Sequence, residues 1–162
     1  MGTAATPTSS ALPGLFSPGV IPTADQLCQL LTPADWTAAG LSGARAPSID
    51  DDGPGTGSAY CVYKGVSGAT DALELDVFVH ASVDAASTDF ATIAQSLPSS
   101  TAPNVSGIDD GLINTDIDPG YGLVLVRAGK LVVTITLPTS ASAEAQLTNL
   151  TQIVLSRALA LE

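Results

Sequence analysis

Basic residues are scarce in this sequence. Only 5 of its 162 residues are Lys or Arg, against 16 Asp or Glu, which gives a formal net charge of −11 at pH 7. Proteins that bind nucleic acids neutralise phosphates with Lys and Arg, and proteins that bind anionic membranes use the same residues. The composition therefore argues against both functions and favours a soluble chain with neutral or cationic partners.

Histidine and cysteine are rarer still, with one His and two Cys. A Ser-His-Asp hydrolase would have to use His80, but the chain has no Gly-x-Ser-x-Gly motif, so His80 is predicted to be an exposed structural residue. Cys28 and Cys61 are too far apart for a Cys-x-x-Cys redox motif and too few for a structural zinc site. They are either two buried thiols or one disulfide.

Long apolar runs are also missing, because no window of about 20 residues is apolar enough to span a membrane. Hydrophobic residues nevertheless make up 45% of the chain, which suits one sizeable core. The first 22 residues are rich in Thr, Ala, Ser, Pro and Gly, a linker composition. We therefore predict a disordered or extended linker over residues 1–22, a single globular domain over residues 23–160 and a vector-derived tail at residues 161–162.

Two β-hairpins are predicted. Around Gly129, which supplies the positive φ of a tight turn, apolar and β-branched residues run from Tyr121 to Leu137. Residues of the second strand that alternate onto the core face are Leu131, Val133, Ile135 and Leu137. Strands over residues 59–64 and 71–80 form the other hairpin, and the second of them has one clearly apolar face.

Helices are predicted before, between and after the hairpins. Thr23 and Thr32 are suitable N-cap residues. A helix is predicted from Thr23 through Leu31, and a second helix is predicted from Thr32 to its end at Gly40. Further predicted elements are a loop over 42–58, a helix over 84–97, short strands over 103–108 and 112–117, and a last helix capped by Ser142. The fold class is α+β: a single domain with a mainly antiparallel β-sheet, built from hairpins and packed against α-helices.

Acidic runs occur at Asp50–Asp52, Asp109–Asp110 and Asn114–Asp118. Calcium requires several converging oxygens, but Pro119 and Leu125 occupy the positions where an EF-hand loop has its turn glycine and bidentate glutamate. We therefore interpret the runs as solvated turns and expect no metal or cofactor. Asp109 and Asp110 are also the pair that a carboxylate-based hydrolase would use, although neighbouring side chains on one strand point apart.

Several short motifs follow one another in a definite order. They are Cys28-x-Leu30-Leu31-Thr32-Pro33-x-Asp35, then Gly40, Cys61-x-Tyr63, Val105-x-Gly107-Ile108-Asp109-Asp110 and Val126-Arg127-x-Gly129. Together they resemble an uncharacterised family of secreted actinobacterial lipoproteins, with a Cys-x-Leu-Leu-Thr helix start and a later Cys-x-Tyr or Cys-x-Trp strand; Asp109 replaces that family's second glycine. The resemblance spans roughly residues 25–159. It implies a lipid-anchored extracytoplasmic domain, a disulfide between Cys28 and Cys61, and no known catalytic residues.

The function that we expect is a non-enzymatic binding or accessory domain of the bacterial cell envelope, outside the cytoplasm. Its ligand would lie in a cleft between sheet and helices. The partner would be an unknown small molecule, a lipid or an envelope protein, and the chain a monomer. Two alternatives stay open. A hydrolase would show two carboxylates facing each other in an enclosed pocket, and a structural envelope adaptor would show a flat apolar patch.

Overall fold

The computed structural model describes residues 21–41, 44, 46–50, 57–64, 72–117 and 120–159. Its elements in chain order are α1 (Ala24–Cys28), α2 (Pro33–Ala38), β1 (Ser48–Asp50), β2 (Ser58–Lys64), β3 (Ala72–Val79), α3 (Val83–Ser96), β4 (Asp110–Ile117), β5 (Tyr121–Ala128), β6 (Leu131–Pro138) and α4 (Ala143–Leu159). The linker predicted before Thr23 lies outside the described residues up to residue 20, and so does the tail predicted at 161–162. Ile21 is exposed and Pro22 is buried.

The strands form one six-stranded sheet in the order β1-β2-β3-β6-β5-β4, and every neighbouring pair is antiparallel. The hairpin at Gly129 is confirmed, since β5 and β6 pair from Tyr121 to Ala128 and Gly129 has a φ of 56°. The other predicted hairpin joins β2 to β3. Because β3 also pairs with β6, the two hairpins lie side by side, and the predicted α+β class is confirmed.

One face of the sheet is buried beneath α1 and α4, and α2 adds Trp36 to the same core. The alternation predicted for β6 is confirmed, because its buried residues on this face are Leu131, Val133, Ile135 and Leu137. Gly122 allows α4 to approach closely: a Cβ there would lie 3.3 Å from both Leu147 Cδ1 and Thr115 Cα. Each large aliphatic side chain buried here contributes about 1.5–3 kcal/mol to folding. This core face is therefore a main source of stability.

The second helix, α2, begins after Thr32 as predicted. Asp35 accepts hydrogen bonds from the backbone N–H of Thr32 at 2.6 Å and from its hydroxyl at 2.8 Å. Arg157 of α4 donates to both carboxylate oxygens of Asp35, at 2.6 and 2.9 Å. Burial alone would raise the pKa of Asp35, but these hydrogen bonds and the charge of Arg157 outweigh it and hold the pKa below its ordinary value of 3.8. The ion pair thus fastens α2 to α4.

The disulfide that the resemblance implies is present. Cys28 of α1 and Cys61 of β2 are joined with their Cα atoms 5.7 Å apart, and both residues are buried. The ring of Tyr63, two residues along β2, lies 5.2 Å from the ring of Trp36. Burial, together with the negative charge of Asp35, raises the pKa of Tyr63, so its hydroxyl stays protonated. The disulfide and the aromatic pair together attach the helical start of the domain to the sheet.

The first helix is shorter than predicted, because it ends at Cys28 and not at Leu31. The carbonyl groups of Cys28, Leu30 and Leu31, at and just beyond its end, lie within hydrogen-bond distance of side chains from other elements. The Tyr63 hydroxyl lies 2.6 Å from the Cys28 carbonyl oxygen and 2.8 Å from that of Leu31, and Arg157 donates to the Leu30 carbonyl oxygen at 2.8 Å. These tertiary contacts satisfy acceptors that would otherwise need caps or water.

One loop prediction and one strand prediction are wrong. The loop predicted over 42–58 contains β1, a strand of 3 residues that is too short to show an alternating pattern and exists by pairing with β2. Residues 103–108 do not form the predicted strand. Just before them, Thr101 makes an isolated bridge to Ile113 of β4. Pro103 has no N–H to donate, and Gly107 has a φ of 81°, so regular pairing cannot continue through this segment.

Candidate functional site

The second face of the sheet is only partly covered, by α3, which packs chiefly on β5 and β6. This helix begins after Ser82, whose hydroxyl accepts a hydrogen bond from the Ala85 N–H at 3.1 Å, and it stops before Pro98. The side chains of this second hydrophobic cluster are Ala86, Leu125 and Val132, with Phe78, Phe90, Ile93, Ala94, Leu97 and Leu123 around them. The part of this face that lies over β2 and β3 therefore has open surface beside the helix.

A groove of about 330 Å³ occupies that surface. Its floor consists of two cross-strand rows that the strand register places side by side, Tyr60-Asp76-Thr134 and Ser58-Phe78-Val132. Directly opposite residues of antiparallel strands point to the same face, so each row presents its side chains together. Asp89 and Ile93, one helical turn apart on α3, line the other side of the groove. The site thus combines aromatic, aliphatic, hydroxyl and carboxylate groups.

Asp89 is held in place by His80, which follows β3. The His80 Nε2 atom lies 3.0 Å from Asp89 Oδ2, and the imidazole stacks on the ring of Phe78 at 4.2 Å between centroids. The prediction of an exposed histidine is wrong, because only 11% of the His80 side chain remains accessible. Since α3 brings Asp89 to the end of β3, the histidine contributes to positioning a groove residue.

The charged residues that line the groove in the described part of the chain are both acidic, Asp76 and Asp89. Arg127 and Arg157 are engaged elsewhere, in ion pairs with other aspartates. Lys130 lies in the turn between β5 and β6. Arg45 and the side chain of Lys64 lie outside the described residues. The net charge of −11 on the whole chain makes the long-range potential around the protein negative.

Asp109 and Asp110 lie away from this groove and converge on Arg127. Arg127 Nη1 lies 3.1 Å from Asp109 Oδ2, and Nη2 lies 2.6 Å from Asp110 Oδ2. Asp109 Oδ2 also accepts a hydrogen bond from the Gly129 N–H at 2.7 Å. The expectation that these side chains point apart is wrong, because Asp109 precedes β4 and is not constrained by its alternation. Their observed contacts stabilise the β5–β6 turn against the start of β4.

The other acidic runs are only partly described. The prediction of a solvated turn is wrong for Asn114 and Asp116, which lie in β4 beside a register shift. Asn114 donates to the Ser99 carbonyl oxygen at 2.9 Å and accepts from the Asp116 N–H at 2.9 Å. The side chains of Asp50–Asp52 and all of Asp118 lie outside the described residues. Within the part of the chain that the structure describes, no group of three or more His, Cys, Asp or Glu residues is arranged to hold a metal ion.

No sequence pattern identified the groove residues as a set. The alternation of β3 indicated that Asp76 and Phe78 lie on the face opposite the core, and this was the available signal. The alternation of β6 likewise places Thr134 on that face, whereas Asp89 was not singled out, because its position over the sheet depends on how α3 crosses it. The groove lies between the sheet and a helix.

None of the helices in the described ranges is both long and apolar enough to cross a membrane. No protein-family model matches the chain, and no curated protein matches its sequence.

Proposed function

We propose that the chain is a non-enzymatic ligand-binding or accessory domain of the bacterial cell envelope, and that the groove beside α3 is its binding site. The observation that carries this proposal is the groove itself, which lies between a helix and the sheet and is lined by both polar and apolar side chains. Sites for small molecules usually have this mixture, in which apolar side chains supply contact area and a few polar groups fix orientation.

The size of the groove favours a small ligand. A volume of about 330 Å³ lies at the lower end of the range of about 300–1,000 Å³ that is typical of small-molecule sites. Tyr60 offers 38% of its surface to solvent although it belongs to a strand of the sheet. Its neighbours in the row, Asp76 and Thr134, supply a carboxylate and a hydroxyl. A flat ligand on the ring, with hydrogen-bonding groups at its edge, would suit this arrangement.

The disulfide supports a location outside the cytoplasm, because disulfides form and persist in oxidising compartments. A lipid anchor in the natural protein is part of the proposal and is supported by the resemblance to secreted lipoproteins. Detergent phase partitioning of fractionated source cells tests both points: the protein should enter the detergent phase from the envelope fraction. Recovery of the protein in the cytosolic fraction, with reduced cysteines, would contradict them.

Two other functions are less well supported. A hydrolase gains some support from Asp76 and Asp89, since both carboxylates line one groove, whereas Asp109 and Asp110 are bound to Arg127. A structural adaptor would need a continuous apolar surface. The large apolar side chains that are exposed in the described residues belong to four separate segments: Ile21, Ile49, Tyr60 and Val83.

Native mass spectrometry of the protein purified from its source cells tests the binding proposal. Wild-type protein should retain an additional mass, and Thr134→Trp should lose it because the new indole fills the groove. The control Thr92→Trp places the same side chain on the exposed surface of α3 and should keep the mass. Circular dichroism establishes that both variants are folded.

The same measurement separates binding from hydrolysis. A binding domain should retain the same mass in wild type and in Asp89→Asn, with at most a change in occupancy. A hydrolase should retain a larger, uncleaved mass in Asp89→Asn and a smaller product in wild type. Absence of any retained mass in wild type, or its persistence in Thr134→Trp, would show that the groove is not the binding site.

A further inference from the structure

We infer that the groove beside α3 selects a small organic cation, an amine or quaternary ammonium group that carries a short apolar arm. This inference rests on the proposed function, since it names the class of ligand for the same groove. It depends on three features of the described residues: the sign of the charge around the groove, the exposed aromatic ring in its floor, and the apolar surface beside that ring.

The charge of the groove favours a cation. Asp89 projects from α3, and one of its carboxylate oxygens lies 3.0 Å from His80 Nε2, which holds the carboxylate at the groove. Arg127 and Arg157, which are paired with other aspartates, do not line the groove. The net charge of −11 also raises the local concentration of cations and repels anions over longer distances.

The aromatic floor favours an organic cation over a metal ion. Tyr60 lies in a strand that is paired on both sides, and 38% of its surface is exposed. A cationic group over an aromatic face gains about 0.5–2 kcal/mol from the ring quadrupole. Metal ions, by contrast, require several converging ligand atoms, and no such cluster occurs among the described residues.

The remaining lining residues suit a short apolar arm. Val132, Ile93 and Phe78 form an apolar side next to the polar row. Ser58, Tyr60 and Asp76 each already take part in an interaction within the protein, so the inference assigns the charge partner of the cation to Asp89 and not to Asp76.

Choline and 3,3-dimethyl-1-butanol are suitable probes because they have the same shape and differ in charge. Titration of the oxidised, ¹⁵N-labelled full chain with choline should shift the amide signals of residues 58–60, 76–78, 89–93 and 132–134. The neutral alcohol should bind the same groove about 2- to 30-fold more weakly, which is the ratio that a cation–π contribution gives.

Two variants and one control locate the effect. Tyr60→Leu keeps an apolar side chain but removes the ring, and Asp89→Asn removes the negative charge; both should weaken choline binding and leave the alcohol's affinity unchanged. The control Asp84→Asn removes the same charge from the outer surface of the same helix, and it should change neither affinity. Rising salt should weaken the binding of choline only.

Three results would overturn the inference. If both probes bind the groove with equal affinity, selection for a cation is wrong, while the groove remains a binding site. If choline shifts signals elsewhere, or if Tyr60→Leu and Asp89→Asn leave its affinity unchanged, the assigned contacts are wrong. If neither probe shifts the groove signals, the ligand class is wrong, and the retained-mass experiment with Thr134→Trp then decides independently whether the groove binds a ligand.

Discussion

Replacing Cys28 and Cys61 together by alanine should lower the free energy of unfolding by about 3.5–4 kcal/mol. The disulfide closes a loop with a sequence separation of 33 residues, and chain-entropy reasoning for such a loop yields this value at 25 °C. The loss is large beside the total of about 5–15 kcal/mol that typical domains possess. For a chain of this length it corresponds to a fall in the melting temperature of about 7–15 °C.

The structure indicates why other contacts do not replace the disulfide. The first helix has only 5 residues, so it has no appreciable stability of its own. Without the crosslink, α1 is held to β2 by apolar packing and by the Tyr63 hydroxyl, which lies 2.6 Å from the Cys28 carbonyl oxygen. These contacts remain in the variant, and for this reason we expect a weakened domain and not an unfolded one.

Urea unfolding followed by fluorescence is the appropriate assay, because Trp36 is the single tryptophan and is fully buried. The variant should unfold at lower urea and with a larger m-value, since its unfolded chain is less compact. Wild-type protein in excess dithiothreitol is the matched control and should lose a similar amount of stability. A loss below about 1 kcal/mol would refute the loop-closure reasoning, as would two reactive thiols in unfolded, unreduced wild-type protein.

Two further predictions concern the sheet and the ion pair on α2. Val133→Asp should cost about 4 kcal/mol or more because it buries an unpaired charge, whereas Thr134→Asp, on the open groove floor, should cost about 1–2 kcal/mol; equal losses in urea unfolding would contradict the unequal cover of the two faces. Arg157→Met should cost about 1.5–3 kcal/mol at neutral pH by removing the charged hydrogen bonds to Asp35. Because folding lowers the pKa of Asp35, its contribution is present above pH 3.8 and is lost as the pH falls through the folded value. Urea midpoints measured between about pH 6 and pH 2 should therefore fall less steeply in Arg157→Met, and parallel curves would show that the pair has no such role.

Local sequence patterns correctly predicted the elements whose boundaries depend on residues next to one another in the chain. The hairpin at Gly129 follows from β-branched residues that alternate with period two around a residue able to adopt a positive φ. The second helix follows from Thr32 and Pro33 at its start and from Gly40, at a φ of 89°, after its end. Such signals act over a few residues, so tertiary context did not alter them.

Predictions failed where distant residues decide the local conformation. The first strand has 3 residues and depends on its pairing with β2. The first helix ends at Cys28, and Tyr63 and Arg157 contact the carbonyl groups of Leu31 and Leu30 that follow it. Asp109 and Asp110 converge because Arg127, from the neighbouring strand, lies between their carboxylates. None of these partners is near in sequence.

The sequence by itself determined the antiparallel α+β class, the strongly acidic charge and the identity of the core face, because period and composition are properties of the chain. It also limited the cysteines to one possible intramolecular pairing. Only the tertiary structure decided that α3 would lie chiefly over β5 and β6 and leave a groove above β2 and β3. The alternation of apolar and polar residues along β3 indicates which face of the sheet is not the core. It does not indicate which part of that face a helix will cover. That depends on the packing of Phe90 and Ile93 against residues of distant strands.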